Sequence, residues 1–332
     1  MELSKKNLNE RLHQIYDVII VGGGAGGLSA GIYLQRFRLS SLIIDKGKAR
    51  SFWMQELHNY LGLPPNTPGK VLLQQGKEHY ASVDGDFLNA YVEEVIDEGE
   101  TFAVKVKIGR VNSISAVFRS RYLIAASGII DNLPPLAEMR NVYDYAGYNL
   151  HVCMVCDGYE MTDKKCGFFA GSEASIEEMV FNLSWFTPYI TVFTHGSFAV
   201  SPNMRQKLQE HGYPLVETQI QQFLGHNHQM TGVELVDGSV IELETGLISM
   251  GSHYHNTYLQ GINLELKGNN LVTDRMCRTS HPRIFAIGDL KVGLNQVVVA
   301  ASDGALAATQ IWRDIRHSRG ARRWEEHLTV NV

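Results

Sequence analysis

Residues 16–34 read Y-D-V-I-I-V-G-G-G-A-G-G-L-S-A-G-I-Y-L. Tyr16–Val21 is a β-branched apolar run broken only by Asp17, the pattern of a strand buried on both faces in a parallel sheet. It enters Gly22–Gly27, where Gly22, Gly24 and Gly27 satisfy G-x-G-x-x-G, and then a helical stretch from Leu28 to Leu34. The first glycine turns the chain, the second lets backbone approach a pyrophosphate, and the third lets helix pack on strand. A phosphate is favoured at such a helix N-terminus. A second strand, Ser41–Ile44, ends in Asp45, placed where an acid binds ribose hydroxyls. A lone fingerprint is a weak signal. Strand, glycines, helix, strand and acid together predict dinucleotide binding on an α/β fold.

Working outward, a helical lead-in is expected over Lys5–Gln14. Phe52–Lys70 is rich in Pro and Gly and reads as a loop. Its aromatic and amide groups suit a flavin ring, and a surface loop with packing aromatics is the other reading. A helix over Val71–Tyr80 follows. Strands are expected near Ala90–Glu94, Thr101–Ile108 and Ser115–Phe118. Another, Arg121–Ala126, is closed by Ser127-Gly128, and Pro134-Pro135 reads as an interdomain hinge.

Residues 148–160 read Y-N-L-H-V-C-M-V-C-D-G-Y-E. Cys153 and Cys156 form a C-x-x-C and can close a small disulfide ring. A helix start lowers a thiol pKa because its N–H groups stabilise the thiolate. The adjacent Asp157 can move a proton during exchange. Half of a zinc site and two buried thiols are the other readings. A structural zinc needs four ligands, and the remaining cysteines, Cys166 and Cys277, stand singly.

A second β-α-β follows: strand Cys166–Ala170, helix Gly171–Phe186, strand Tyr189–Thr194. Ala170, Ser172 and Ser175 stand where a fingerprint has glycines, and Glu173 adds a carboxylate. After the second strand come His195-Gly196-Ser197, with neither an acid for ribose nor an arginine for a 2′-phosphate before Arg205. Further strands are expected near Leu215–Glu217, Gln229–Leu235, Ser239–Leu243 and Thr245–Met250. His253 and His255 lie in a loop, where a metal and a solvated loop are both readings, and no third ligand is near. Ile262–Val272 leads back toward the first domain. Arg283–Asp289 is a strand ending in Gly288-Asp289. Asn295-Gln296-Val297-Val298 opens a small-residue helix able to approach something flat.

The chain has 332 residues, 44% hydrophobic and 20% charged, enough for about two cores. A net charge of −5 carries no basic footprint for nucleic acid. Four cysteines at this length argue against a secreted disulfide scaffold. No signal peptide or membrane-length apolar run is visible, so a cytoplasmic protein is expected.

The Gly22–Gly27 fingerprint with Asp45, His58-Asn59-Tyr60, Ala126-Ser127-Gly128, Cys153–Gly158, Gly288-Asp289 and Gln296-Val297 resemble, in that order, the low-molecular-weight thioredoxin reductase-type flavoproteins. The resemblance covers almost the whole chain. It implies an α/β fold of two Rossmann-like three-layer domains, the second inserted in the first. Residues 1–133 and 271–332 would bind FAD, and 134–270 would carry the redox cysteines and a degenerate nucleotide crevice. The implied catalytic residues are Cys153, which exchanges with substrate, Cys156, which faces the flavin, and Asp157, the acid/base group. The implied cofactor-binding residues are Gly22, Gly24, Ala25, Gly27, Asp45, Lys46, Asn59, Ser127, Gly128, Gly288, Asp289, Gln296 and Val297, with no metal ligand. A homodimer is also implied.

The second turn departs from the family pattern and puts NADPH in doubt. Branches of this family that do without pyridine nucleotide draw on ferredoxin, hold a second FAD in the vacated crevice, or oxidise small dithiols with oxygen. The expectation is an FAD-dependent thiol-disulfide oxidoreductase acting on a disulfide or dithiol substrate. An NADPH-thioredoxin reductase, a small-molecule dithiol oxidase and a non-enzymatic flavin redox sensor are the alternatives.

Overall fold

A computed structural model of the protein describes residues 7–329 apart from 48, 110, 112, 137 and 138. The chain forms two compact units. The first comprises residues 1–52, 69–129 and 254–332, and the second 53–68 and 130–253.

In the first unit, strands Ile15–Val21, Ser41–Asp45, Ile114–Ala125 and Ile284–Ala286 run parallel, with Ile15–Val21 between Ser41–Asp45 and Ile114–Ala125. The first half of Asp86–Asp97 joins them beside Ser41–Asp45. Its second half turns away and pairs antiparallel with Phe102–Ile108, which pairs antiparallel with the start of Ile114–Ala125. Two long strands thus belong both to the parallel sheet and to an antiparallel meander. The alternation along Val18–Val21 explains the layering, because successive side chains face opposite ways. Tyr16, Ile19 and Val21 enter the core shared with the meander, with Phe102, Val104 and Phe118. Val18 and Ile20 enter the core under the helices, with Leu28, Leu34, Leu73 and Ile311.

The helices of this unit include Ala25–Arg36, Gly69–Ser82 and Val297–Thr329. What the small-residue helix approaches is the fingerprint helix. A Cβ on Gly304 would lie 2.4 Å from the Gly26 carbonyl oxygen, and Ser29 Oγ donates to the Ala301 carbonyl at 2.7 Å.

The second unit carries a five-stranded sheet in the order Leu215–Val216, Ile190–Phe193, Cys166–Ala170, Thr245–Ser249, Leu150–His151, parallel throughout. Helices Glu173–Leu183 and Pro202–Glu210 send Ile176, Val180, Met204 and Leu208 into its core. Ile220–His226, Gln229–Leu235 and Val240–Glu242 form a separate antiparallel sheet.

Several expectations change. Ser115–Phe118 and Arg121–Ala126 are one strand, because Arg119 and Ser120 keep pairing where the chain passes between the two sheets. The lead-in helix is Leu8–His13, closed by an Asn7–Glu10 capping box, and residues 5 and 6 lie outside the described residues. Pro202–Glu210 and Ile220–His226 had no sequence reading; Ser201 caps the former and Pro202 opens it. The chain passes between units at 52/53, 68/69, 129/130 and 253/254, where the expectation had two passages, at 133/134 and 270/271. Tyr254, Tyr258, Leu259 and Ile262 already pack into the first unit's core, and that burial sets the return point.

Candidate active site

The first unit brings the fingerprint residues together at the C-terminal ends of its parallel strands. Gly22 has φ +114°, and a Cβ there would lie 2.3 Å from the Ala126 carbonyl oxygen. A Cβ on Gly27 would lie 1.9 Å from the Gly22 carbonyl oxygen. Neither position admits a side chain. Gly24 differs: its Cβ would meet only the Ala49 Cβ, at 3.6 Å. The room beside Gly24 is therefore kept for something outside the chain. Gly24 is also the N-cap of Ala25–Arg36 and has no side chain to satisfy the first-turn N–H groups. A free cradle over unclaimed donors, with buried Asp45 closing the next strand, fits the pyrophosphate and ribose of FAD.

Lys46, Ser127 and Gly128 share one neighbourhood. Lys46 Nζ lies 3.3 Å from the His255 ring, and burial lowers its pKa against the opposing charge of Asp45. Ser127 Oγ donates to the His255 carbonyl at 2.5 Å, and the His255 N–H donates to the Gly128 carbonyl at 3.1 Å. His255 is thus held by this site, which the solvated-loop reading of 251–257 missed; Ser252–Tyr254 is a strand. Gly288, at φ +64°, donates its N–H to Asp303, and Asp289 pairs with Arg50 at 3.2 Å. Gln296 is buried and its carbonyl accepts from Ala300 N–H at 2.9 Å, with Val297 opening the long helix. Arg50 and Asp303 carry no sequence motif and were not anticipated.

In the second unit Cys153 and Cys156 form a disulfide with Cα atoms 5.3 Å apart. Cys153 is the N-cap of the short helix Met154–Asp157, and its sulfur accepts the Cys156 N–H at 3.2 Å. A thiolate on Cys153 would be stabilised by that donor. Gly158 is required by packing, since a Cβ there would lie 2.5 Å from the Phe186 ring.

The Asp157 carboxylate lies between two imidazoles. His58 Nδ1 is 3.2 Å from Oδ1, and His151 Nδ1 is 3.2 Å from Oδ2. Asn59 stands next to His58 in the 53–68 segment, which folds with the second unit. Trp53 and Gly147 hold that segment: a Cβ on Gly147 would lie 2.4 Å from the Trp53 carbonyl oxygen. His58 and His151 were quoted within motifs but given no role. The proximity of His151 to the cysteines in sequence was the one available signal.

The second turn is closed by its own side chains. Ser172 Oγ accepts the Ser175 N–H at 3.2 Å, and Ser172 N–H donates to Ser175 Oγ at 3.3 Å, a reciprocal cap. The Glu173 carboxylate accepts Ser201 N–H at 2.6 Å and Ser201 Oγ at 2.8 Å, and those bonds hold its pKa below the usual carboxylate range. Both cations of Pro202–Glu210 are paired, Arg205 with Glu217 at 2.7 Å and Lys207 with Glu177 at 2.9 Å. Beyond this turn, Phe193 is buried against Phe169, with ring centroids 5.1 Å apart, and His195 Nδ1 accepts the Ile220 N–H at 3.0 Å.

Comparison with known proteins agrees with this architecture. A family model described as FAD binding domain matches residues 17–102, and one described as Pyridine nucleotide-disulphide oxidoreductase matches 192–304. Thioredoxin reductase from Bacillus subtilis is 28% identical over 319 residues, covering 90% of this chain and 94% of its own. That of Listeria innocua is 26% identical over 317 residues, covering 89% and 92%. Among solved structures, HlmI superposes with a TM-score of 0.83 at 23% identity, covering 99% of this chain and all 100% of its own. Thioredoxin reductase from Streptococcus pyogenes superposes with a TM-score of 0.79 at 22% identity, covering 91% and 99%.

Fold and site together define a flavoprotein disulfide oxidoreductase with two Rossmann-like units. Over most of its length the chain is similar to thioredoxin reductases, and the FAD-binding and pyridine nucleotide-disulphide oxidoreductase models each match part of it.

Proposed function

We propose that this protein is an FAD-dependent thiol-disulfide oxidoreductase that does not use NADPH as its main electron donor. The observation that carries this reading is the contrast between the two fingerprint turns. At Gly24 the helix N-terminus has no side-chain cap, and a Cβ would meet only Ala49. At Ser172 the cap is reciprocal, and Glu173 adds a carboxylate to the first turn of the helix, where it is bonded to Ser201. Like charge at close range repels. The cations Arg205 and Lys207 are already committed to carboxylates. Losing a bidentate arginine to phosphate costs about 1.5–3 kcal/mol, about ten- to a hundredfold in affinity.

FAD, when bound, supplies a two-electron acceptor and donor for the cysteine pair. Gly22, Gly24, Ala25, Gly27 and Asp45 hold its pyrophosphate and ribose in this reading. Lys46, Asn59, Ser127, Gly128, Gly288, Asp289, Gln296 and Val297 complete the set. Cys153 exchanges with substrate, Cys156 is the sulfur on the flavin side, and Asp157 handles the proton. The substrate is a dithiol or disulfide, a redox protein such as a ferredoxin is a fitting donor, and the protein works in the cytoplasm as a homodimer.

Anaerobic stopped-flow mixing tests the donor. The bound flavin should bleach with a dithiol and only slowly, or not at all, with NADPH. Rapid bleaching at micromolar NADPH would overturn this reading in favour of an NADPH-thioredoxin reductase, the activity named for the relatives. A second FAD in the crevice is the bolder extension, and it rests on the persisting β-α-β. A flavin-to-protein ratio near one, in protein purified with added FAD, removes it.

A further inference from the structure

Asp157 is surrounded by more titratable groups than one acid/base residue needs. His58 Nδ1 lies 3.2 Å from Asp157 Oδ1 and 3.7 Å from Glu160 Oε2, while its Nε2 lies 3.1 Å from Glu56 Oε2. His151 occupies the other side of Asp157, 3.2 Å from Oδ2. Both ring nitrogens of His58 therefore face carboxylates. A neutral imidazole has a single N–H and can donate to only one of them, whereas the imidazolium donates to both. The geometry selects the charged ring.

We propose that His58 stores the proton that thiol exchange at Cys153–Cys156 moves, acting through Asp157 as a positioning and relay residue. This rests on the reading of the cysteines as the exchanging pair. The chemistry requires such a store. Carboxylic acids ordinarily titrate near pH 4 and imidazoles near pH 6.5, so a proton needed close to neutrality resides on the ring. The His58 pKa agrees in direction. Burial alone would lower it, and the bonds to Glu56 and Asp157 with the charges of Glu160 and Asp157 outweigh burial and raise it. The groups facing the ring are Glu56, Asp157 and Glu160, with His151 reaching it through Asp157.

The exchange balances as follows. One sulfur of a substrate dithiol, having lost its proton, bonds to Cys153 Sγ; the Cys153–Cys156 bond breaks and its electron pair goes to Cys156 Sγ. The second substrate sulfur then bonds to the first, and Cys153 Sγ leaves with the electron pair of the mixed disulfide. The two protons of the substrate end on the two cysteines. The substrate is oxidised by two electrons and the pair reduced by two. His58, through Asp157, protonates the leaving sulfur and recovers its proton from the second substrate thiol.

The test follows reduction of the Cys153–Cys156 disulfide by dithiothreitol from about pH 5.5 to 9, with acid quenching and mass analysis of alkylated thiols. The ratio of parent rate to His58→Gln rate cancels the ionisation of dithiothreitol. It should be about tenfold while the parent ring is protonated and fall toward one as pH rises through its pKa. Glu56→Gln, at a half-exposed position, replaces the charged acceptor with a neutral one and should move that fall to lower pH. A ratio that does not change with pH makes His58 merely structural and overturns the proposal. So does an inflection that Glu56→Gln leaves in place, which would belong to another group such as His151. Cys153→Ser separates the two readings. Dithiol turnover surviving in that variant sinks the redox pair itself, whereas its loss together with a flat His58 ratio sinks the relay alone.

Discussion

The four cysteine sulfurs of this chain face unlike surroundings. Cys166 is fully buried in the second unit's core, and burial pushes its thiol up to about 12. Cys277 is buried in the first unit, and burial, reinforced by the Asp303 charge, pushes it to about 12 as well. Thiols at such values hold almost no thiolate at neutral pH, and the thiolate is the reactive form. Cys153 and Cys156 are partly exposed, with a backbone donor on Cys153. Brief alkylation of the reduced native protein should therefore modify two cysteines, and alkylation after unfolding four; rapid native labelling of Cys166 or Cys277 would contradict the burial argument. Cys153→Ser and Cys156→Ser should each abolish disulfide turnover. The His58 ring also has a stability consequence. Its pKa is raised above the ordinary 6.5, so its contribution is complete below that value and is lost as pH rises through the folded value.

At the scale of elements, the fingerprint turn separates residues that make the fold from residues that make the site. A Cβ at Gly27 collides with backbone at 1.9 Å, so Gly27→Val should destabilise the first unit by several kcal/mol, of order 3 or more, through overpacking. Gly24 has open space and an ordinary neighbour at 3.6 Å. Gly24→Val should leave the protein folded, with a circular dichroism spectrum close to the parent and melting close to that of the parent stripped of flavin, and yet be purified without yellow flavin. Full flavin content in a folded Gly24→Val protein would remove the pyrophosphate from this turn. The two variants share a motif and part company only because one Cβ points at a carbonyl and the other does not.

At the scale of the whole molecule, no helix among the described residues is long and apolar enough to cross a membrane. The described surface carries large exposed apolar side chains, among them Leu61, Trp185, Tyr159 and Val155. Single apolar residues on a surface are ordinary, so the homodimer rests on resemblance. Sedimentation equilibrium at micromolar concentration should return twice the chain's 37.1 kDa mass. A species of one chain mass across that range would count against a dimer. Both units carry parallel strands with a turn and helix at their C-terminal ends, the arrangement in which nucleotide sites form.

The sequence by itself determined what is local. A strand buried on both faces is apolar at nearly every position, a turn against backbone must be glycine, and a C-x-x-C with its carboxylate is written in consecutive residues. Asp45, Cys153, Cys156 and Asp157 could be named for that reason. The degeneracy of Ala170–Ser175 was equally legible, because missing glycines show as other letters. Tertiary structure alone decided what depends on residues far apart in the chain. Glu173 meets Ser201 28 positions on, Asp289 meets Arg50 across 239 positions, and His58 meets Asp157 across 99. No periodicity or spacing encodes those meetings. They follow from which faces the sheets and helices bury. They set an imidazole on each side of a lone aspartate and close a glycine-poor turn.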